Sequence, residues 1–512
     1  YRMEKQGMSV DTRKLRDLGI VMNDRAFELE TQLLKMIPKK VKQKHFDHGL
    51  SFGRKAFLQD ILFSRDGFNL KVYSRVADGT PSTDAIHLSS HASHPFVAAF
   101  KEFQQVNKMR TTYVGTESAT IAQEIKLLKN GGWPVAIRRI TNHEPEDLQG
   151  LATLGPVAGT TLDGKAIKLQ QVTEWEDDGS CLAVRKNKPY RITQSEPTGF
   201  WRHMMADGKI HPSFFLDKTV TGRASSRDPN FQNVPKRGAL APPFRRVFVP
   251  SSRDYCFIET DQSQAELRFA AVESMDPVML KTYQMGGDIH RMTASRVAGV
   301  GMREVSKEQR QKAKAVNFGF LYTMGVDGFI IYAKSQYGVT FTKAEATEIR
   351  NTYFETYAKL KAWHDRRRQE VRKHGFVRGL LGARRNLPSI NSADRGVQAE
   401  AERQAINSPI QRVASDITLM SMVQFSEGCP DYVLPIGTVH DSGLAETLSR
   451  KHRKVAAWMK WCFINPPIKQ LFGIDLPIPL GADVSVGRNL GDMVEFGSDE
   501  LADVEAVKPP WI

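Results

Sequence analysis

Two aspartates, Asp261 and Asp441, each close a short run of strand character, and they stand 180 residues apart. Tyr255 to Thr260 reads as a buried strand ending at Asp261, with a helix from Gln264 to Glu273; from Tyr432 to Glu446 two β-like runs flank His440-Asp441. Between them, from about Val278 to Arg403, the pattern is helical and strongly charged. For the acids to meet, one sheet must be built from segments far apart in sequence, its adjacent strands bringing both to a common edge. Two carboxylates so placed suit two-metal phosphoryl transfer, whereas an acid after a strand, taken alone, is an ordinary helix cap.

The segment Arg310-Gln311-Lys312-Ala313-Lys314-Ala315-Val316-Asn317-Phe318-Gly319-Phe320-Leu321-Tyr322 bears on that choice. Arg310, Lys314, Phe318 and Tyr322 are four apart. Each step of four advances about 40° around a helix, so they form one slowly winding stripe roughly 18 Å long. Two cations followed by two rings suit a triphosphate and then a base; the plainer reading is a solvated basic face passing into core aromatics.

The chain has 512 residues, 41% of them apolar, enough to bury a large core in two to four domains or subdomains. Its 72 Lys+Arg exceed its 57 Asp+Glu, a formal charge of +15 that favours an extended polyanion as partner without choosing among polyanions. Cys181, Cys256, Cys429 and Cys462 include no Cys-x-x-Cys pair, so neither a disulfide framework nor a cysteine zinc site is signalled. No apolar run approaches the roughly 18 residues of a membrane span, and Tyr1-Arg2-Met3-Glu4-Lys5 lacks a signal peptide's apolar core. The expectation is a soluble intracellular protein, and the start without Met suggests a cut from a longer chain.

From Asp11 to about Ile37, Leu15, Leu18, Ile20, Phe27, Leu29 and Leu33 recur roughly at helical spacing, and the first ~115 residues read as mainly helical. Val114 to His211 differs: turn signals at Asn130-Gly131-Gly132, Gly155-Pro156, Asp163-Gly164 and Asp178-Gly179 surround β-like runs such as Ile167 to Trp175. This is expected to be a small strand-rich module. His87, His91 and His94 have a spacing that invites a zinc reading, rejected because no fourth ligand accompanies them and His94-Pro95 reads as a helix boundary.

The two acid segments and the basic helix resemble the three polymerase motifs of family A DNA polymerases, the group of bacterial polymerase I and several phage replicases. The resemblance extends to Thr221-Gly222-Arg223-Ala224-Ser225-Ser226, to Asp228 through Pro235, to Asp288-Ile289-His290, and to Arg403 with Asn407 and Gln411. It runs from near Met3 to about Gly487, interrupted by the module. It implies an α/β (α+β) fold of right-hand architecture: a palm with an antiparallel sheet, helical fingers and a helical thumb. The expected divisions are a thumb at 1–115, the insertion at 116–210, palm at 211–280, fingers at 281–400, and the rest of the palm with the C-terminal tail at 401–512.

The resemblance further implies that Asp261 and Asp441, with the backbone carbonyl of Gln262, hold two magnesium ions, manganese being the alternative. Arg310, Lys314 and His290 would hold the incoming triphosphate, Lys314 also counting as catalytic, because charge-assisted donors bind phosphate oxygens strongly. Phe318 would pack on the sugar and base, and Gln264 would line the same nucleotide site. Tyr322 would stack at the template side. Glu266 would fill the space a ribose 2′-hydroxyl needs, favouring deoxynucleotides. Arg223, Gln232, Asn233, Gln411, His440 and Arg403 would contact template or primer, and Lys108 and Arg110 with Thr112 and Tyr113 the duplex backbone.

By the same resemblance the partners are primer-template DNA and deoxynucleoside triphosphates; the module at residues 116–210, which interrupts the resemblance, is read as adding grip on DNA or binding a processivity factor, the alternative being an inert insertion. No membrane is expected, and the setting is the cytoplasm of a bacterial cell or phage-infected host, an organellar origin being left open. The family's 3′ to 5′ exonuclease domain would precede the thumb, where this sequence begins.

Departures from the pattern are Gln262 in place of a Tyr, Ser442 in place of the acid after His-Asp, Thr323 in place of a Gly, and Arg412 in place of a Gly. Glu446 lies on the strand face of Ser442, opposite that of Asp441, and is not an obvious replacement. Two rivals stand beside the DNA polymerase: a single-subunit RNA polymerase, against which Glu266 argues, and a catalytically retired DNA-binding or clamp-loading subunit, suggested by Ser442 and the module.

Overall fold

The computed structural model describes residues 2–76, 78–117, 119–124, 154–161, 166–176, 180–185, 188–236, 238–497 and 500–501. The chain divides into two compact units, one of Tyr1–Asp11, Phe27–Gln104 and Lys209–Ile512, the other of Thr12–Ala26 and Gln105–Gly208. Residues 12–26 and 105–115, expected with the first segment, thus group with the module.

Helix α1, Thr12–Met36, covers the expected span. Leu15, Leu29 and Leu33 are buried on it, whereas Ile20 and Phe27 fall off their stripe and are exposed. Helix α2, Pro95–Lys108, begins at Pro95 because the residue before a proline avoids helical backbone. In the second unit, β1 (Ala119–Glu124), β2 (Gly155–Thr161), β3 (Ala166–Gln171), β4 (Ser180–Arg185) and β5 (Lys188–Ser195) close into a barrel. Strands β2 to β5 form an antiparallel meander, and β1 seals it, parallel to β2 and antiparallel to β5.

The barrel interior follows the two-residue alternation of its strands: Ile167 and Leu169 point inward with Cys181, Ala183, Tyr190 and Ile192. Gly155-Pro156, expected as a turn, opens β2 instead, a position where a proline's missing N–H is tolerated. The other three turn signals, at 130–132, 163–164 and 178–179, lie outside the described residues. Where the module joins, the Thr116 N–H donates to Thr198 Oγ1 at 2.9 Å and the Thr198 N–H to the Thr116 carbonyl at 2.8 Å.

In the first unit, β6 (Tyr255–Gln262) leads into helix α3 (Ala265–Ser274). Helices α4 (Ile289–Ala298), α5 (Lys307–Leu321), α6 (Val326–Tyr337), α7 (Lys343–Thr356), α8 (Ala358–His374) and α9 (Arg395–Glu427) follow. The hairpin β7 (Val433–Val439) and β8 (Ser442–Leu448), helix α10 (His452–Ile464), β9 (Ala482–Gly487) and β10 (Val494–Glu495) complete the unit. The sheet runs β7-β8-β6-β9-β10, antiparallel throughout, so β6 is central although 170 residues lie between its end at Gln262 and the start of β7 at Val433.

Among the described residues, two large apolar clusters, with smaller ones beside them, hold this unit. Ile258, Ala445 and Val484 from the sheet pack with Val455, Met459 and Phe463 of α10. Leu267 and Phe269 of α3, Val316 and Phe320 of α5, Phe329, Tyr353, Trp363 and Ile410 form the second, which fixes α5 among its neighbouring helices. Each large side chain so buried contributes about 1.5–3 kcal/mol. No helix among the described residues is long and apolar enough to cross a membrane.

Candidate active site

Sheet register brings the two acids together. Asp261, near the end of β6, lies opposite Ser442 on β8, and Asp441 sits in the turn between β7 and β8. The Gln262 N–H donates to the Asp441 carbonyl at 3.2 Å, tying the two segments. The turn needs a left-handed residue at His440, with φ of 58°. Gln232 pins that turn from beneath: its Oε1 accepts the His440 N–H at 2.8 Å and its Nε2 donates to the Thr438 carbonyl at 2.5 Å. Gln232, expected to contact DNA, is buried with both ends of its amide engaged in holding the hairpin. Its neighbour Asn233 is exposed.

The acid pair is electrostatically unfinished. Asp441 Oδ1 is buried and accepts no hydrogen bond among the described residues, its cationic neighbour Arg223 lying 3.9 Å away. Desolvation, opposed by Lys236 and reinforced by Glu259, Asp441 and Asp483, pushes the Asp261 carboxyl up to about 6. A half-buried Asp441 with an orphaned oxygen, beside the more exposed carboxylate of Asp261, fits a divalent cation that would draw on both. Among the described residues no group of three or more His, Cys, Asp or Glu side chains is arranged to hold a metal.

Helix α5 carries the cationic stripe as its spacing requires. Arg310, Lys314, Phe318 and Tyr322 are all half-exposed, while Ala313, Ala315, Val316, Asn317, Phe320 and Leu321 are buried. The Arg310 guanidinium is held by Asp288 Oδ2 at 2.5 Å, and Asp288 also caps α4. Burial opposes that carboxylate's charge, but Arg310 and the His290 N–H hold it below its usual range. His290 is buried and takes a hydrogen bond on Nδ1 from Asn317 Nδ2 at 2.9 Å. Burial pulls its imidazole down to about 4, so near neutral pH it offers a neutral donor, not the charged one expected.

Glu266 stands at the foot of α5. Its carboxylate accepts hydrogen bonds from the Tyr322 hydroxyl and from Arg223 Nη2, the latter at 2.7 Å. Gln411 also bonds the Tyr322 hydroxyl, so four residues expected at the nucleotide and template sites form one network. Burial raises the Glu266 carboxyl, with Tyr322 and Arg223 opposing. Gln264 adopts the left-handed conformation before α3 and accepts from the Tyr283 hydroxyl at 3.2 Å.

Other expected residues lie apart from this network. Arg403 pairs with Glu400 on the exposed flank of α9, at 2.6 Å. Lys108 and Arg110 belong to the second unit, where Arg110 is bonded to Asn107 at 2.8 Å. Arg412 pairs with Asp416 at 2.8 Å and packs so closely on Gly222 that a Cβ there would meet its guanidinium at 2.0 Å. The histidine trio does not converge on a metal: the helix Ala85–Ser89 ends before His91, His87 Nε2 accepts the Tyr73 N–H, and His91 Nε2 faces the Lys71 carbonyl. Glu446 is buried and accepts from Ser251, at 2.9 Å from its N–H.

Four residues beside the acid pair were missed in the sequence. Glu259 lies two residues before Asp261, so strand alternation alone puts both on one face. It is flanked by Lys236 and Arg245, whose charges outweigh burial and lower its carboxyl. Asp483, opposite Asp261 on β9, accepts from Ser263 Oγ at 2.5 Å. Lys236 and Arg245 have no local signal in the sequence.

A central antiparallel sheet with an aspartate pair at its edge, and a helix carrying a cationic stripe, is the arrangement of the right-hand polymerase fold. The chain belongs to DNA polymerase family A, whose family model matches residues 187–492. DNA polymerase I of Streptococcus pneumoniae serotype 4 (strain ATCC BAA-334 / TIGR4) is 40% identical over 249 residues, 48% of this chain and 28% of the relative. The DNA polymerase of Bacillus phage SP01 is 31% identical over 317 residues, 58% of this chain and 33% of the relative. The matches thus span about a third or less of those relatives' length. The solved POL domain of Pol1 from M. smegmatis, in complex with DNA primer-template and dNTP, superposes with a TM-score of 0.68 at 22% identity, covering 96% of this chain and 68% of that one, a likeness of fold.

Proposed function

We propose that this chain is a template-directed DNA polymerase that adds deoxynucleotides to a primer 3′-hydroxyl, in replication or repair. The observation that carries the reading is the meeting of Asp261 with Asp441, whose buried Oδ1 accepts no hydrogen bond among the described residues. Asp261 and Asp441, with the Gln262 carbonyl, would hold two magnesium ions or, alternatively, manganese. When bound there, such ions lower the pKa of the attacking hydroxyl and neutralise the leaving pyrophosphate. Arg310 and Lys314 supply the charge that holds the triphosphate, with His290 as a neutral donor beside them. Phe318 packs on the sugar and base, and Glu266, fixed by Tyr322 and Arg223, closes the space of a 2′-hydroxyl.

Primer-template DNA is the macromolecular partner, in keeping with the formal charge of +15. Asn233, Gln411, His440, Arg403, Lys108 and Arg110 are the contacts we assign to it. The barrel module is the place for a processivity factor, and relatives from bacteria and a phage support a bacterial or phage-infected cytoplasm as the setting.

Primer extension on DNA and RNA templates, with dNTPs or rNTPs and with magnesium or manganese, tests the reading. Extension with dNTPs that is abolished by Asp261→Asn and by Asp441→Asn, with DNA binding retained, is the expected result. Substantial extension by either variant refutes the metal-holding role. Equal use of rNTPs favours the RNA polymerase rival, and duplex binding without extension at any metal concentration favours a retired subunit.

A further inference from the structure

Lys236 places an ammonium beside Asp261, where it opposes any cation that Asp261 is to hold. Its Nζ lies 3.9 Å from Asp261 Oδ2, 3.3 Å from Ser442 Oγ and 2.9 Å from Glu259 Oε1. Glu259 is therefore the closest of these partners and the one that neutralises it. The second oxygen of Glu259 is held by Arg245 Nη2 at 3.2 Å, and Ser442 Oγ lies 3.0 Å from the first. Glu259 and Asp261 project from the same face of β6, and Ser442 faces Asp261 from β8.

The position after Asp441, where the resemblance leads one to expect an acid, thus carries a hydroxyl turned to an acid on the neighbouring strand. Glu446 is excluded from that part by its burial against Ser251. Asp483 lies across β6 from Ser442, on β9, and its carboxylate is engaged by Ser263.

We propose that Glu259 is the third acidic charge of the centre, carried across the strand pair from position 442 to the strand of Asp261. It acts as a positioning residue: it binds Lys236 and so keeps the ammonium from pairing with Asp261 in competition with a divalent cation. Without Glu259, Lys236 has Asp261 as its remaining acid within 4 Å among these contacts. The inference rests on that part of the proposed function which reads Asp261 and Asp441 as a cation-holding pair, and not on primer extension itself.

Manganese binding to the full chain, followed by the loss of the free-ion paramagnetic resonance signal in the absence of nucleotide, tests it. Glu259→Gln should weaken manganese binding about tenfold, an effect within reach of one charge acting at a few ångströms in a partly solvated site. The reversed pair, Glu259→Ser with Ser442→Glu, should bind within about threefold of the unaltered chain, because the acid returns to the same neighbourhood of Lys236. Lys236→Met in the Glu259→Gln background should also regain affinity, which a merely structural role for Glu259 does not explain.

Unchanged affinity in Glu259→Gln overturns the proposal. A reversed pair that binds as weakly as Glu259→Gln, or that fails to fold, overturns it too, since an acid at 442 then cannot do the work of Glu259. A chain that never extends a primer, yet loses manganese in Glu259→Gln and regains it in the reversed pair, sinks the polymerase reading and leaves this one standing.

Discussion

Thr323 follows the helix of the cationic stripe with a left-handed backbone, φ of 58°, which a β-branched side chain adopts at a cost of about 1–2 kcal/mol. Thr323→Gly is expected to raise stability by about 1 kcal/mol, read from the midpoint of urea unfolding at an unchanged slope. A lower midpoint means that the hydroxyl or methyl of Thr323 has compensating contacts. Glu266 is the opposite case, a residue fixed on two sides, by Tyr322 and Arg223. Glu266→Ala should raise ribonucleotide incorporation relative to deoxynucleotide by about tenfold or more, measured as competing kcat/KM values. Unaltered sugar selectivity would refute the steric role.

Helix α5 shows what a sequence makes legible at the scale of one element. Its four-residue stripe and its buried opposite face both follow from the spacing, and its start at Ser306 is a capping box closed by Gln309. Ser306→Ala should cost about 1 kcal/mol in unfolding free energy, and a loss below ~0.3 kcal/mol would show that packing against the neighbouring helices, not the cap, fixes the helix start. The strand ends at Asp261 and Asp441 were legible for the same local reason. The partnership of Glu259, Ser442 and Lys236 was not, because the register of β6 on β8 and the reach of Lys236 are set by tertiary pairing between distant segments. Nor did local pattern reveal that Gln232 and His290 are buried: a polar residue's burial depends on which neighbours satisfy it, here Thr438 and Asn317.

For the molecule as a whole, the buried imidazoles link stability to pH. Burial pulls His290 down to about 4; burial, with Arg368 nearby, pulls His364 down to about 3, so both are neutral in the fold near neutral pH. In the unfolded chain they take up protons below about 6.5. Between those values the unfolded state binds more protons, so stability rises with pH there and falls as the solution is acidified from pH 7 to pH 5. Urea melts at those two pH values should show a lower midpoint at pH 5, and His364→Phe should flatten the difference; an unchanged difference would assign the acid sensitivity elsewhere. The doubled hydrogen bond between Thr116 and Thr198 has a consequence of another kind. The chain leaves for the barrel at Thr116 and comes back at Thr198, so the intervening strands form a closed loop whose contents do not set the closure entropy of the segments outside it. A lineage can therefore enlarge, exchange or shed that loop by cutting at its two ends and rejoining them, since they already lie side by side.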